Sequence, residues 1–186
     1  MNWGMTFRIK DLLLVTGSGR NVGKTTFICQ VIAHQPLKKF GAIKISPHFH
    51  EPTNGLIPIL ETSEFRIFEE TNRDSDKDTS RYLKSGAVKS YYIQTNDSGL
   101  KEAFNLTSVL LDPDLPFLVE SARLGQILRP ELFVFIQGSN EVDNPFSIEM
   151  REKADVTVFS DGNEFSLGPE NIYFNRYWKV EEHFYA

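Results

Sequence analysis

Residues 12–26 read Leu-Leu-Leu-Val-Thr-Gly-Ser-Gly-Arg-Asn-Val-Gly-Lys-Thr-Thr, and few stretches this short restrict a fold so strongly. An apolar strand runs into a glycine-bearing loop, and Gly-Lys-Thr-Thr then opens an amphipathic helix. A loop that cradles phosphate needs that order. Gly17, Gly19 and Gly23 are expected to take backbone angles closed to other residues, so that successive N–H groups turn inward. The helix behind them adds its unpaired N–H groups and its positive dipole end. Candidate nucleotide contacts are therefore Gly17, Ser18, Gly19, Arg20, Asn21, Val22, Gly23, Lys24, Thr25 and Thr26. Lys24 is placed to reach the β and γ phosphates, and the Thr25 hydroxyl to ligate Mg²⁺. The competing reading is a chance glycine turn before a helix.

The rest of the chain supports an α/β fold: a mostly parallel sheet flanked by helices. Short apolar runs recur at residues 12–15, 41–45, 88–93, 117–119, 132–136 and 156–159, each rich in β-branched or aromatic residues. Buried strands of a parallel sheet read this way. Helical stretches are expected over 24–34, 78–85 and 98–105, with Gly86 as a C-cap, and this alternation is that of an α/β domain. Residues 47–77 are polar and irregular apart from a strand over 65–69. A connection of that length is a functional loop or a small hairpin insertion. Residues 138–145 form a second polar loop. The aromatic C-terminal segment, 169–186, places Tyr173, Phe174, Tyr177 and Trp178 on one helical face. A terminal helix docked on the sheet is expected there, with a partner-binding surface as the alternative.

Length and charge narrow the class further. At 186 residues the chain is expected to form one domain, able to bury roughly 70% of its unfolded surface. Twenty Lys+Arg against 25 Asp+Glu give a net charge of −5, which argues against a nucleic-acid-gripping basic face. No polybasic run meets an acidic membrane, and the run at 12–15 is too short for a signal segment or a span. The single cysteine, Cys29, cannot form an intramolecular disulfide and reads as a small buried hydrophobe. A cytoplasmic location is the expectation. An acidic protein that binds a polyanion must gather its positive potential locally, so the surplus acid is expected over 51–78 and near the C-terminus, away from the loop.

Three residues outside the loop carry candidate chemistry. Lys44 closes an apolar strand, and ligands of open parallel sheets sit at the carboxyl ends of strands. It is either a cation for a terminal phosphate or acidic substrate, or a solvated edge lysine. Glu120 also closes an apolar strand and reads either as a Mg²⁺ ligand, direct or through water, or as a surface acid. Asp78 reads as a helix N-cap and as a carboxylate that binds a second metal or orients a nucleophile. Arg81 either faces phosphate or pairs with Asp78 at i,i+3. His48 and His50 are a metal- or anion-binding pair, or solvated loop residues. Asp161 is a candidate for bonding the N1 and N2 donors of a guanine, or part of an Asp-Gly turn.

The loop, with one residue more than the usual spacing, resembles those of dethiobiotin synthetase and the cobyrinate amidases among the P-loop NTPases. Phe40-Gly41-Ala42-Ile43-Lys44-Ile45-Ser46-Pro47-His48, residues 76–87 (Asp-Lys-Asp-Thr-Ser-Arg-Tyr-Leu-Lys-Ser-Gly-Ala) and Pro116-Phe117-Leu118-Val119-Glu120-Ser121 are similar to segments of the molybdopterin-guanine dinucleotide biosynthesis protein B group. With the loop, the resemblance spans roughly residues 10–125. It departs where that family has histidine at Ile45 and glycine at Ser121, and no Asn-Lys-x-Asp is present. The resemblance implies a P-loop NTPase fold with an insertion after the second strand. It also implies Mg²⁺-dependent binding and slow hydrolysis of GTP or ATP beside a molybdopterin-type cofactor enzyme. Lys24, Lys44 and Asp78 would be the catalytic residues, and Thr25 and Glu120 the metal ligands. Proteins of this branch often dimerise across the nucleotide face, so the resemblance also admits a homodimer. Two alternatives stand: an ATP-dependent ligase like dethiobiotin synthetase, with an unidentified second substrate, and a non-enzymatic nucleotide-sensing adaptor that binds a protein partner.

Overall fold

The computed structural model describes residues 8–181. The protein is a mixed α/β structure built on one large, mostly parallel sheet of eight strands flanked by helices. Its strands are β1 (Arg8–Gly17), β2 (Gly41–Ser46), β3 (Leu56–Glu61), β4 (Phe65–Glu70), β5 (Lys89–Thr95), β6 (Phe117–Glu120), β7 (Arg129–Gly138) and β8 (Val156–Ser160). They lie in the order β3-β4-β5-β2-β6-β1-β7-β8. All neighbours from β5 to β8 are parallel, while β3 and β4 are an antiparallel hairpin added at one edge. The six apolar runs read from the sequence lie in these strands, apart from Val88, which precedes β5. Within 47–77 the chain forms that hairpin, and the strand expected over 65–69 is its second arm.

Central strands are apolar on both faces because both are covered. Leu12, Leu14, Ile43, Val119 and Phe133 face one side, against α3 (Leu100–Ser108) and α4 (Pro145–Lys153). Leu13, Val15, Ala42, Leu118 and Val134 face the other, against α1 (Lys24–Ala33) and α2 (Asp78–Lys84). Helix α1 turns Phe27, Ile28, Val31 and Ile32 to the sheet. Each such side chain contributes about 1.5–3 kcal/mol when fully buried. Cys29 is buried in this layer as expected, and burial raises its thiol pKa.

Two expectations are corrected, and one helix is added. The C-terminal segment is a hairpin, β9 (Ile172–Phe174) with β10 (Trp178–Val180), rather than a helix. Arg176 takes a left-handed turn conformation at φ 64°, and Ile172 and Trp178 point into the α1-side core, where Trp178 stacks on Phe40 at 5.5 Å. Period-2 burial of Ile172 and Trp178 thus overrides the helical spacing of the aromatics. Phe184 and Tyr185 lie outside the described residues. Helix α3 begins at Leu100 and runs to Ser108, two residues later than expected at its start and three at its end. Helix α4, not anticipated at all, follows the 138–145 loop. Asn144 and Ser147 form a reciprocal capping box around Pro145, a start signal legible in Asn-Pro-Phe-Ser.

Candidate functional site

β1, β2 and β6 all end at one rim of the sheet, and a groove of about 660 Å³ opens there. It is lined by the whole glycine loop except Val22, and by Lys44, Asp78, Arg81 and Glu120. Val22 instead packs inward, 5% exposed, beneath the loop.

The loop's shape depends on two glycines. A Cβ on Gly17 would meet the Ile136 carbonyl oxygen at 2.8 Å, so only glycine lets β1 leave the sheet beside β7. Gly23 sits at φ 98°, a left-handed conformation that immediately precedes α1. Gly17 and Gly19 do not adopt positive φ, contrary to expectation. The second left-handed residue is Asn21, at φ 60°, which asparagine tolerates better than most side chains. Ser18 ties the loop to β7: its N–H donates to the Ile136 carbonyl at 2.9 Å and its hydroxyl accepts from the Gly138 N–H at 2.9 Å.

Helix α1 starts without a side-chain cap and without an acid in its first turn. Its first N–H groups and positive dipole end are therefore available to an anion. Lys24 donates to the Gly19 carbonyl, folded back across the loop, and has no ion-pair partner among the described residues. Burial lowers its pKa, only partly offset by the Glu120, Asp78 and Glu141 carboxylates.

The opposite wall is fully paired. Register explains why: Val15, Glu120, Lys44 and Tyr92 lie side by side across β1, β6, β2 and β5. Cross-strand partners share a face, so Glu120 and Lys44 meet under α1 and α2. The Lys44 ammonium donates to Glu120 and bridges to Asp78 at 2.8 Å. Two hydroxyls donate to Glu120, that of Thr25 at 2.7 Å and that of Tyr82 at 2.6 Å. The Glu120 side chain is 4% exposed and that of Lys44 19%. Burial opposes the charge on Lys44, but Glu120 and Asp78 together outweigh it and hold its pKa above the ordinary lysine value. Asp78, also desolvated, is held below the usual carboxylate range by Lys44 and by hydrogen bonds from Lys44 and Thr25. Burial, reinforced by Glu120, pushes the Tyr82 phenol well up, so it stays a hydrogen-bond donor.

The sequence-derived candidates thus converge. Thr25, Lys44, Asp78 and Glu120 form one cluster, and Arg20, Lys24 and Thr26 line the same groove. Lys44 is not a solvated edge residue, and Glu120 is not a surface acid. Asp78 is not the N-cap of α2: Lys77 holds that position, and the Asp78 carboxylate is turned to Lys44. Arg81 donates to the Thr26 hydroxyl at 3.0 Å and stands 4.0 Å from Asp78. His48 contacts Arg20 at 2.6 Å, while His50 lies beyond the groove. Asp161 accepts from the Asn163 and Glu164 N–H groups at 2.8 Å, which makes it a turn residue; Gly162, next to it, lines the groove.

Two participants were not anticipated. Tyr82 lies within residues 76–87, four residues after Asp78, and that helical spacing was the available signal. Glu141 lies against Gly19 with no salt-bridge partner among the described residues. It corrects the expectation that unpaired acid stays clear of the loop. The expected surplus over 51–78 is only partly free, since Glu70 accepts from Thr79 and Asn72 and Asp78 is paired.

No family model matches this chain, and no curated protein or solved structure matches it. Among the described residues no helix is long and apolar enough to cross a membrane.

Proposed function

We propose that the groove binds a nucleoside triphosphate, GTP or ATP, with Mg²⁺, and hydrolyses it slowly. One observation carries this reading. The Thr25 hydroxyl, at the start of the helix that follows the glycine loop, bonds a buried strand-end carboxylate 95 residues away. In a P-loop fold with an insertion after the second strand, that juxtaposition brings metal ligands to the β and γ phosphates.

The oxygen donor set suits Mg²⁺, which binds through one or two carboxylates, waters and substrate phosphates rather than an all-protein cage. Thr25 and Glu120 would hold the ion, which neutralises developing phosphate charge when bound. Lys24 would leave the Gly19 carbonyl for the terminal phosphates, and the α1 N–H groups would hold the remaining oxygens. Lys44 fixes Glu120, Asp78 fixes Lys44, and the Asp78 carboxylate would orient the nucleophile. The segments resembling the molybdopterin-guanine dinucleotide protein B group supply Lys44, Asp78, Tyr82 and Glu120 of this cluster. That favours a role beside a molybdopterin-type cofactor enzyme.

The test is titration with fluorescent GTP and ATP analogues, with Mg²⁺ and with chelator. Binding is expected with Mg²⁺ and about 100-fold weaker in Lys24→Ala, which is ~2.7 kcal/mol. Failure to bind either nucleotide, or unchanged affinity in Lys24→Ala, removes the reading.

A further inference from the structure

Arg81 stands in the groove with its charge unanswered. It projects from α2, three residues past Asp78, and its side chain lines the groove and is 36% exposed. Its Nη2 donates to the Thr26 hydroxyl at 3.0 Å, a neutral partner, while its Nη1 stands 4.0 Å from Asp78. That carboxylate already serves Lys44 at 2.8 Å and Thr25. A guanidinium carries five N–H donors, and among the described residues only the Thr26 bond engages one. The Thr26 bond ties α2 to α1, a task that needs no charge. A planar fork of free donors on an open cation instead matches a phosphate, which it can grip through two parallel bonds.

We infer that Arg81 holds the terminal phosphate and sets a preference for nucleoside triphosphate over diphosphate. The inference rests on the proposed nucleotide site. Position selects the phosphate. Loop N–H groups cradle the inner phosphates of a P-loop nucleotide, and the metal sits at the β and γ phosphates. Thr25 and Glu120, proposed for the metal, mark that outer end, and Asp78 meets Thr25 and Lys44 there. Arg81 flanks Asp78 on the same helix. Charge points the same way. With Mg²⁺ on Glu120, the metal, Lys44 and Arg81 outweigh the Glu120 and Asp78 carboxylates. The surplus falls on Arg81, the more exposed of the two side-chain cations. Its free N–H edge would neutralise γ-phosphate charge that a diphosphate lacks at that position.

The experiment titrates fluorescent GTP, ATP, GDP and ADP analogues in Mg²⁺ against the parent, Arg81→Gln and Arg81→Lys. Arg81→Gln keeps a donor for Thr26 but no charge. It should weaken triphosphate binding roughly tenfold, the scale of a hydrogen bond to a charged group, and diphosphate binding by less than about twofold. Arg81→Lys keeps the charge without the fork, so its triphosphate affinity should fall between those of the parent and Arg81→Gln. Urea unfolding shows whether each variant folds. If Arg81→Gln does not, Arg81→Lys decides alone, through a triphosphate-to-diphosphate preference about threefold below the parent's. Equal losses for both nucleotides would make Arg81 a helix tie or an inner-phosphate contact, and no loss would make it a bystander. Either result overturns the inference, as does a parent that binds triphosphate no tighter than diphosphate. A parent that binds no nucleotide removes the nucleotide reading, and the inference falls with it. A parent that binds, with its preference intact in Arg81→Gln, removes the inference alone.

Discussion

Lys24 and Lys44 face the same groove from opposite walls, and their environments push them in opposite directions. Lys24 sits on a backbone carbonyl with its charge desolvated and its pKa lowered, whereas Lys44 is clamped between Glu120 and Asp78 with its pKa raised. One wall holds donors without a matching anion; the other has matched its charges before any ligand arrives. Such a division suits a site in which the loop supplies binding and the strand ends supply fixed geometry. It also separates the two lysines experimentally, because one should matter to ligand and the other to fold.

Stability measures the largest effect. Lys44→Met leaves Glu120 buried without its cation, and loss of one partner of a buried pair costs about 3 kcal/mol. Lys24→Met removes a half-buried cation that has no carboxylate of its own, so its stability should stay within about 1 kcal/mol of the parent or rise. Urea unfolding midpoints of the two variants compare them directly. Equal losses would erase the distinction between the walls.

Tyr82→Phe probes the paired wall more gently. The phenol donates to a buried carboxylate that keeps its bonds from Thr25 and Lys44. Hydrogen bonds to charged groups contribute about 1.5–3 kcal/mol, so a loss of about 2 kcal/mol is expected. A loss below 0.5 kcal/mol, an estimate for neutral surface changes, would show that Glu120 does not depend on α2.

The two walls also differ in how far the sequence revealed them. The loop is contiguous, so strand, glycines, Lys24 and Thr25 were legible together, down to the helix they open. Its conformations were less so, since Asn21 rather than Gly19 takes the left-handed turn. In the paired wall the partners of Glu120 lie 38 to 95 residues from it, brought together by sheet register for Lys44 and by the packing of α1 and α2 for Thr25 and Tyr82. Lys44 and Glu120 could be proposed as strand ends, but their mutual pairing depends on β6 lying between β1 and β2, which no local pattern states. Gln94 continues the polar face of β5 past the apolar run that marked the strand, so the period was present but the strand was ended too early. The C-terminal aromatics failed for the opposite reason, because a 3.6-residue spacing and a hairpin can share the same residues.

Glu141 gives a smaller test on the open wall. Its carboxylate lies against Gly19 and favours the charged form of Lys24, so it competes with any phosphate for the loop. Glu141→Gln should tighten Mg–nucleotide binding roughly threefold, the scale of an exposed charge interaction. The gain should shrink in high salt. Weaker binding in Glu141→Gln would mean that the carboxylate serves the ligand rather than opposing it.

Proton linkage should give the smallest effect, and over most of the pH range none. Lys44 has a raised folded pKa, so its contribution is fully present below 10.5 and is lost only as pH climbs through that higher value. Asp78 has a lowered folded pKa, so its contribution is present above 3.8 and is lost only as pH falls through the lower value. Lys24 runs the other way. Its charge is disfavoured in the fold, and that penalty is relieved as pH rises from its lowered pKa towards 10.5. The bridge therefore adds no slope between about pH 5 and 8. On the alkaline side, Lys24 should raise stability where Lys44 lowers it. Urea midpoints of the parent minus those of each Met variant isolate the two, because Cys29 and Tyr82 titrate in all three proteins. Slopes of the same sign for both lysines would show that they share one environment.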